Sequence, residues 1–215
     1  SRTDDSIKVI IGTYLGNETR SYYGDSPPDR LKLKWKHFLG KGKSEDKHGN
    51  NKEWLGSGWT GQPLLTEEQG KLYVYIGALD YNLKKIDAET GKLIWQYRFD
   101  DAIKGTGSVF VNSKSSSLKE KYSIVQGSKR GYGMSLGAKS CYSLRGISMI
   151  DGTEIWRYNV KQTYSASRDV DGTPLIINDT IIAPLENGYL AFLNANNLNN
   201  DGEYNSPQEI EMVPL

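Results

Sequence analysis

The stretch DAETGKLIWQYRF, from Asp87 to Phe99, decides the fold because a close copy of it lies on either side. It reads as a tight turn followed by a strand that carries one tryptophan. LKLKWKHFL (Leu31–Leu39) precedes it and GTEIWRYNV (Gly152–Val160) follows it, each with a tryptophan at the fifth position of an alternating strand. The spacings between successive tryptophans are 60 and 61 residues, at Trp35, Trp95 and Trp156. A regular spacing of this kind predicts repeated structural units.

Two further elements recur in each unit. Short apolar strands follow turns of small residues at 60–66, 106–112 and 171–178. Pairs of strands joined by Gly- or Asn-containing turns then follow at 72–87, 122–151 and 180–195. This is the pattern of a β-hairpin. One unit is therefore predicted to be four neighbouring strands in a small antiparallel sheet.

Tandem four-stranded sheets are the blades of β-propellers. We therefore expect an all-β fold, with a partial blade at 7–39, full blades at 56–99 and 105–160, and an incomplete blade at 167–215. IKVIIGTYLG (7–16) reads as the second strand of the first blade. A closed ring usually has about four to eight blades, whereas about three and a half blades are predicted here. We therefore expect the missing blades to come from the same or another chain.

The residues IDAETGKLIWQYRF, from Ile86, resemble the signature of the pyrroloquinoline-quinone-like (PQQ-like) propeller repeat. In that signature an apolar residue and Asp lead through a Thr-Gly-Lys turn into an aliphatic-Trp strand. MIDGTEIWRY (149–158) is similar but shorter at the turn, and ENGYLAFLNANN (186–197) looks like the approach to another copy. The resemblance implies one of two settings. Some members are dehydrogenases that bind the quinone and a calcium ion, and others are binding or scaffold modules without the cofactor.

The residues of the repeat itself are predicted to be structural. The Asp side chain can accept hydrogen bonds from the turn backbone, the Gly supplies a positive φ, and the Trp packs between neighbouring blades. These repeat residues are Trp35, Asp87, Gly91, Trp95, Asp151, Gly152 and Trp156.

The sequence gives little support for catalysis. The dehydrogenases resembled here typically carry adjacent cysteines, whereas this chain has only Cys141. No Asp or Glu can be assigned by motif to a base or a metal, so we expect no catalytic residue, no metal ligand and no cofactor, with PQQ or calcium as the alternatives. Calcium is suggested by Asn197, Asn199 and Asp201, which alternate as oxygen ligands of a calcium loop do. However, position twelve of that loop is Gln208 instead of Glu, and an Asn-rich turn fits the same residues.

Function is predicted to lie in the connections between strands. Three polar, Gly-rich segments read as surface loops, at 40–54, 112–121 and 128–145, and such insertions often form a binding face. The candidate binding residues are Trp54, Trp59, Tyr132 and Tyr142. We expect a non-catalytic, protein-binding or scaffold module of a larger assembly. The alternatives are a quinoprotein dehydrogenase whose cofactor site lies in missing blades, and a carbohydrate-binding propeller that uses these aromatic residues.

Bulk properties narrow the partner and the compartment only slightly. A net charge of +1 gives no reason to expect a nucleic-acid partner. Charge is uneven, since residues 30–53 carry eight Lys or Arg and residues 194–215 carry four acids with no Lys or Arg. No apolar run is long enough to span a membrane. An extracytoplasmic location, periplasmic or secreted, is expected from the family resemblance.

Overall fold

The computed structural model describes residues 6–22, 24, 26–45, 49–135, 137–165 and 167–215. Within these residues the protein is all-β, with fifteen strands and one short helix, α1 (Leu118–Lys121). The strands are β1 (Ile7–Ile11), β2 (Lys41–Glu45), β3 (Asn51–Leu55), β4 (Leu64–Glu68), β5 (Lys71–Gly77), β6 (Asn82–Asp87), β7 (Leu93–Arg98), β8 (Ser108–Val111), β9 (Tyr122–Gly127), β10 (Leu144–Ser148), β11 (Glu154–Tyr158), β12 (Leu175–Ile177), β13 (Thr180–Leu185), β14 (Tyr189–Asn200) and β15 (Asn205–Pro214).

Three antiparallel sheets follow one another along the chain. Sheet 1 contains β4 to β7 with β1 added at the edge of β4, sheet 2 contains β8 to β11, and sheet 3 contains β12 to β15. In each sheet the strands pair in chain order, because most of the connections between them are short turns that return the chain antiparallel to itself. The small sheet β2–β3 stands apart from all three.

Apolar side chains fill the space between consecutive sheets. Leu64, Tyr75 and Leu83 of sheet 1 share one core with Ile124 and Ile147 of sheet 2. A second core joins sheet 2 to sheet 3 and includes Phe110, Val125, Trp156, Ile181 and Leu193. Sheets 1 and 3 therefore cover opposite faces of sheet 2.

The turns that lead into the first strands lie side by side. A Cβ on Gly58 would come within 2.4 Å of the Lys104 carbonyl oxygen, and one on Gly105 within 2.0 Å of the Asp171 carbonyl oxygen. Both contacts join one unit to the next, so only glycine permits this approach. Face-to-face sheets whose first strands gather on one side have the blade arrangement of a β-propeller.

Charged groups are also buried between sheets 1 and 2. Lys85 is 3% exposed, and its Nζ donates to Glu68 Oε2 at 2.6 Å and to the Met149 carbonyl at 3.1 Å. Burial lowers the pKa of Lys85 in spite of this ion pair. Arg145 is 1% exposed and donates to the Asp100 carboxylate and to Tyr97 Oη. Each buried cation is thus held by partners in both sheets, as such charges require.

The repeated tryptophans pack on the glycine of the neighbouring unit. Trp95 Nε1 donates to the Met149 carbonyl at 3.3 Å, and its ring lies 2.7 Å from where a Cβ on Gly152 would be. Trp35 Nε1 donates to the Ala88 carbonyl at 2.9 Å, and its ring is equally close to Gly91. In both cases the glycine follows the accepting residue by three positions. Trp156, by contrast, is buried in the core beneath sheet 3.

The two glycine turns share a backbone but not a sequence. The Gly91 N–H donates to the Asp87 carbonyl and the Gly152 N–H donates to the Ser148 carbonyl, so Ser148 corresponds to Asp87. Asp87 Oδ1 accepts from the N–H groups two and three residues on, and Ser148 Oγ accepts from the N–H two residues on. Asp151 therefore corresponds to Thr90 and not to Asp87.

The predicted partial blade at 7–39 does not form. β1 pairs antiparallel with β4 and so belongs to sheet 1, whereas it was predicted to be the second strand of its own blade. Residues 31–39 contain no strand, although Trp35 occupies the packing position of a strand residue. The reason is that a strand needs a hydrogen-bonded neighbour, and from Leu31 to Phe38 no backbone group bonds another backbone group of the described residues.

The last unit is more complete than the sequence indicates. Residues 167–215, predicted to hold an incomplete blade, contain the four strands of sheet 3. IEMVPL (210–215) reads in the sequence as one strand of an unfinished blade, and β15 contains most of it; the start of β15 at Asn205 was not predicted, because it lacks the Trp signature. β14 and β15 extend past the rest of the sheet, and a register shift between Asn194 and Leu198 separates the extension from the paired strands below.

Candidate binding surface

The hairpin β2–β3 lies over the turns at one end of the sheets. Nearly all of its residues are exposed or half-exposed, so it has no apolar core of its own. An isolated two-stranded hairpin is marginally stable, and this one is fixed from below. A Cβ on Gly42 would lie 2.0 Å from the Leu79 carbonyl oxygen, and Tyr81 Oη donates to the Lys43 carbonyl. These contacts hold the hairpin directly on the β5–β6 turn.

Sheet 2 holds the same hairpin from the other side. Lys129 Nζ donates to Ser44 Oγ at 2.8 Å, and Tyr132 Oη donates to Asn51 Oδ1 at 2.6 Å. Both donors belong to the insertion at 128–145, which was predicted to be a surface loop. The hairpin thus bridges sheets 1 and 2, and its contacts hold its backbone while its outer side chains stay free.

Large apolar side chains on and just after the hairpin are open to solvent. Trp54 is 45% exposed, Leu55 63% and Trp59 99%. A lone exposed apolar residue is ordinary, but adjacent exposed aromatic residues are typical of interaction surfaces. We call Trp54, Leu55, Trp59 and Tyr132 the aromatic rim.

Three of the four candidate binding residues thus lie in one region, and the fourth does not. Tyr142 lies at the outer edge of sheet 2, where its ring meets Tyr204 edge-on at 4.9 Å. Its hydroxyl donates to Asp201 at 3.1 Å and Glu203 at 3.3 Å, and burial together with these carboxylates raises its pKa. Arg157 stacks over Tyr204 at 4.1 Å. Tyr142 therefore anchors the β14–β15 extension to sheet 2, and its edge-on packing is a structural role.

A small charged cavity lies beneath the aromatic rim. Its volume is about 160 Å³, and its lining includes Asp101, Lys129, Tyr132 and Asp169. Asp101 is 3% exposed and accepts a hydrogen bond from the Ala102 N–H at 2.7 Å. Burial raises the pKa of this carboxyl group. The cavity is too small for a drug-sized ligand.

A second charged group lies where the leading turns meet. Lys104 Nζ pairs with Asp171 Oδ2 at 2.6 Å across sheets 2 and 3. Burial, with further contributions from Asp171 and Asp169, raises the pKa of Glu186. Lys104 and Asp171 are paired with each other, so the surface where the leading turns meet carries charges of both signs.

No group of three or more His, Cys, Asp or Glu in the described chain could hold a metal ion. Cys141 is fully buried, its Sγ donates to the Arg130 carbonyl, and burial raises the pKa of its thiol. A buried, protonated thiol is a poor nucleophile and a poor ligand.

The suggested calcium loop folds as the end of a β-hairpin. Asn197 and Asn199 lie within β14, and Asn197 donates to Gln208 on β15. Asp201 Oδ1 accepts from the N–H groups of Glu203 and Tyr204 at 3.0 and 2.8 Å. The alternate spacing therefore reflects the period of a strand, and the aspartate stabilises the turn.

Fold and surface together define a class, an all-β propeller-type protein with an aromatic, loop-built face. Among solved structures, the chain is similar to the crystal structure of BamB from Moraxella catarrhalis, with 14% identity and a TM-score of 0.43. That match covers 81% of this chain and 49% of the BamB chain, so the chain spans about half of that structure. No protein-family model matches the sequence, and no curated protein matches it. Among the described residues, no helix has the length and apolar character needed to cross a membrane.

Proposed function

We propose that this protein is a non-catalytic binding module that docks a protein partner on its aromatic rim. The observation that carries the proposal is the β2–β3 hairpin, which is fixed to two sheets and yet leaves Trp54, Leu55 and Trp59 exposed. A rigid support lowers the conformational entropy lost on binding. Exposed tryptophans supply the large apolar contacts that dominate protein interfaces.

Charged side chains of the hairpin surround the aromatic rim, as is usual at the edge of a protein interface. Lys41, Lys43, Lys52 and Glu53 belong to the same hairpin, and Lys41 pairs with Glu53 at 3.2 Å. Interfaces commonly combine an apolar centre with charged residues at the edge, where they favour one orientation of the partner. We propose that the module works within a larger extracytoplasmic assembly, which the resemblance of its repeat to PQQ-like propellers supports.

Site-specific photo-crosslinking tests the proposal. A benzophenone amino acid replaces Trp59, and in a matched variant it replaces Ile94, which is also apolar and 46% exposed but lies on β7. Irradiation of intact cells is expected to give one discrete protein adduct at position 59 and none at position 94. Cell fractionation of the same sample shows whether the adduct is extracytoplasmic.

Affinity measurements then weigh the rim against the rest of the surface. Trp54→Ala/Trp59→Ala should weaken binding of the adduct protein by about thirtyfold, as the loss of a hot spot of about 2 kcal/mol does. Ile94→Ala should leave it unchanged. An absent adduct at position 59 would contradict the proposal, as would a bound quinone with dye-linked alcohol oxidation by the purified protein.

A further inference from the structure

A groove lies on the side of the molecule where the first strands of the sheets gather. Its volume is about 430 Å³, which is within the range of ligand-binding pockets. Its walls are β8 of sheet 2, β12 and the following turn of sheet 3, and residues 9–18, which include the end of β1. The groove is therefore built largely from the edges of strands.

Hydrogen bonds beyond both ends of these strands fix the walls. At one end the buried hydroxyl groups of Thr13 and Ser108 bond each other at 2.7 Å, and Ser108 Oγ donates to the Pro174 carbonyl at 2.5 Å. At the other end Ser113 Oγ donates to Asp179 Oδ2 at 3.2 Å. These bonds join segments from all three sheets, so the walls are held in place before a ligand binds.

The free backbone of β8 points into the groove. The Val109 N–H donates to the Gly12 carbonyl at 2.8 Å, and the Asn112 N–H donates toward the β9 side, to the Lys121 carbonyl, at 2.7 Å. Because backbone groups alternate between the two sides of a strand, the N–H and C=O of Val111 point away from β9, as those of Val109 do. Val111 lines the groove, and no other strand of the described chain pairs with β8 on this side. Gly12 thus fills one position on this edge, and the next position is open.

β12 presents a second free edge to the same groove. Ile177 and Thr180 flank the two-residue turn of Asn178 and Asp179, whose φ angles of 47° and 64° are typical of a hairpin turn. Ladder hydrogen bonds therefore join Ile177 to Thr180, and the backbone groups of Ile176 point to the other side. Ile176 lines the groove, and β13 is the one strand paired with β12 in the part of the chain that the structure describes.

We propose that the groove binds an extended, basic segment of a partner protein, which adds as a strand to β8. Its main chain bonds the open N–H and C=O of Val111, as in recognition by strand addition. Its alternate side chains contact Val9, Val111 and Ile176, which are apolar and line the groove. Glu18 and Asp179 are the charged residues of the lining, which has no Lys or Arg among the described residues, so they select a basic segment.

The groove shares no residue with the aromatic rim, so the two sites can be tested separately. Val111→Pro removes the open N–H and keeps the ladder to β9, since proline is tolerated on the free side of an edge strand. Val111→Thr is the matched control, because it keeps both the N–H and a β-branched side chain. Unchanged circular dichroism shows that each variant is folded.

Peptide selection provides the probe. Random linear octapeptides displayed on phage are first depleted on the Val111→Pro protein and then selected on the wild type. The enriched peptides are expected to alternate apolar residues with others that include Lys or Arg. A synthetic peptide of the enriched sequence should bind the wild type and Val111→Thr alike. It should bind Val111→Pro about tenfold more weakly, as the loss of a backbone hydrogen bond predicts.

N-methylation of the peptide tests the pairing without changing the protein. Methyl groups on alternate backbone nitrogens block one edge of a strand. Methylation of one alternate set should therefore abolish binding, and methylation of the other set should leave it nearly unchanged. Glu18→Gln/Asp179→Asn should weaken binding about fivefold at low salt and reduce its dependence on salt.

The aromatic-rim variant Trp54→Ala/Trp59→Ala should leave the affinity for the peptide unchanged, and a loss of binding there would overturn the proposal. Failure to enrich any peptide after the depletion would also overturn it, as would equal effects of the two N-methylated sets. A wild-type dimer that Val111→Pro converts to a monomer would assign the open edge to a second copy of this chain and so contradict binding of a partner segment.

Discussion

Trp35 and Trp95 make the same contact from two different kinds of backbone. Each donates to a carbonyl three residues before a left-handed glycine, with φ of 73° at Gly91 and 72° at Gly152, and each rests its ring on that glycine. Trp95 does so from β7, a paired strand of sheet 1, whereas Trp35 does so from a segment with no paired neighbour. The tryptophan–glycine contact between units thus forms without strand pairing, whereas a strand forms only where a neighbouring strand supplies backbone hydrogen bonds.

The difference shows how stability is distributed in this fold. Trp95 sits between two sheets, packed against Tyr75 at 5.9 Å, and its strand cannot move without opening sheet 1. Trp35 covers the outer face of sheet 1 from a segment whose neighbours are exposed. The same motif should therefore contribute much more at Trp95, and four experiments test the two contacts and the turns on which they rest.

Removal of each indole should have the largest and most unequal effect. Trp95→Ala should lower the free energy of unfolding by about 2–4 kcal/mol, because its half-buried ring packs against the core between sheets 1 and 2. Trp35→Ala should cost about 1–2 kcal/mol, because the segment can settle back over the lost volume. Urea unfolding followed by circular dichroism measures both, and equal losses would contradict the comparison.

A methyl group added at the two glycines probes the same contacts from the other side. Gly152→Ala combines a left-handed φ with a clash against a fixed ring, at about 2–4 kcal/mol. Gly91→Ala has the same φ but meets a ring that can move away, which leaves about 1–2 kcal/mol of backbone strain. The quantity to compare is the urea midpoint at constant m-value. A larger loss at Gly91 would show that Trp35 is the more tightly held of the two.

Exchanging Ser148 and Asp87, the equivalent residues of the two glycine turns, should show why one turn has serine and the other aspartate. Ser148 is fully buried, so Ser148→Asp would place a charged carboxylate between the sheets, where the turn N–H groups do not replace its lost hydration, and cost about 2 kcal/mol or more. Asp87→Ser keeps a short acceptor for the turn N–H groups near solvent and should leave the thermal midpoint nearly unchanged. Thermal scans of the two variants test this, and a tolerated Ser148→Asp would contradict the burial argument.

The smallest effect should be a pH dependence at Asp151. Although burial opposes it, hydrogen bonds from Thr153 and the ammonium group of Lys119 lower the pKa of Asp151 from 3.8 to about 2. A lowered folded-state pKa contributes stability that is present above pH 3.8 and is lost as the pH falls toward 2. Asp151→Asn should therefore show a shallower loss of stability over that interval. NMR titration of the Asp151 carboxyl group gives the pKa directly, and an ordinary value would remove the effect.

The sequence predicted the parts of this fold that depend on local chemistry. The turn and strand from Asp87 to Trp95 carry their own hydrogen-bond acceptor, glycine and packing side chain, so the all-β, four-stranded repeat could be predicted from them. It did not show that residues 31–39 lack a ladder, because pairing depends on distant segments. It indicated a strand at 210–215 but not the start of β15 at Asn205, which has no tryptophan to mark it.

The surface was predictable only in part, for similar reasons. Trp54, Trp59 and Tyr132 lie in polar loops, and such loops lie at the surface, so their position at one end of the sheets follows from the repeat. KGKSE and NKEWL, the strands of the hairpin, have little apolar alternation, so nothing in them indicates a strand. Tyr142 was wrongly assigned to the same surface. Its contact with Tyr204 depends on the shifted register of β14, and the sequence does not show that shift.

Amide hydrogen exchange compares the two tryptophan segments most directly. The measurement follows the amides of 32–38 beside those of β7 in the wild-type protein. A paired strand should exchange slowly and an unpaired one quickly, whatever side-chain contact each makes. We predict strong protection across β7 and fast exchange at 32–38. Equal protection of the two segments would show that residues 32–38 already have a strand partner, and would contradict the account.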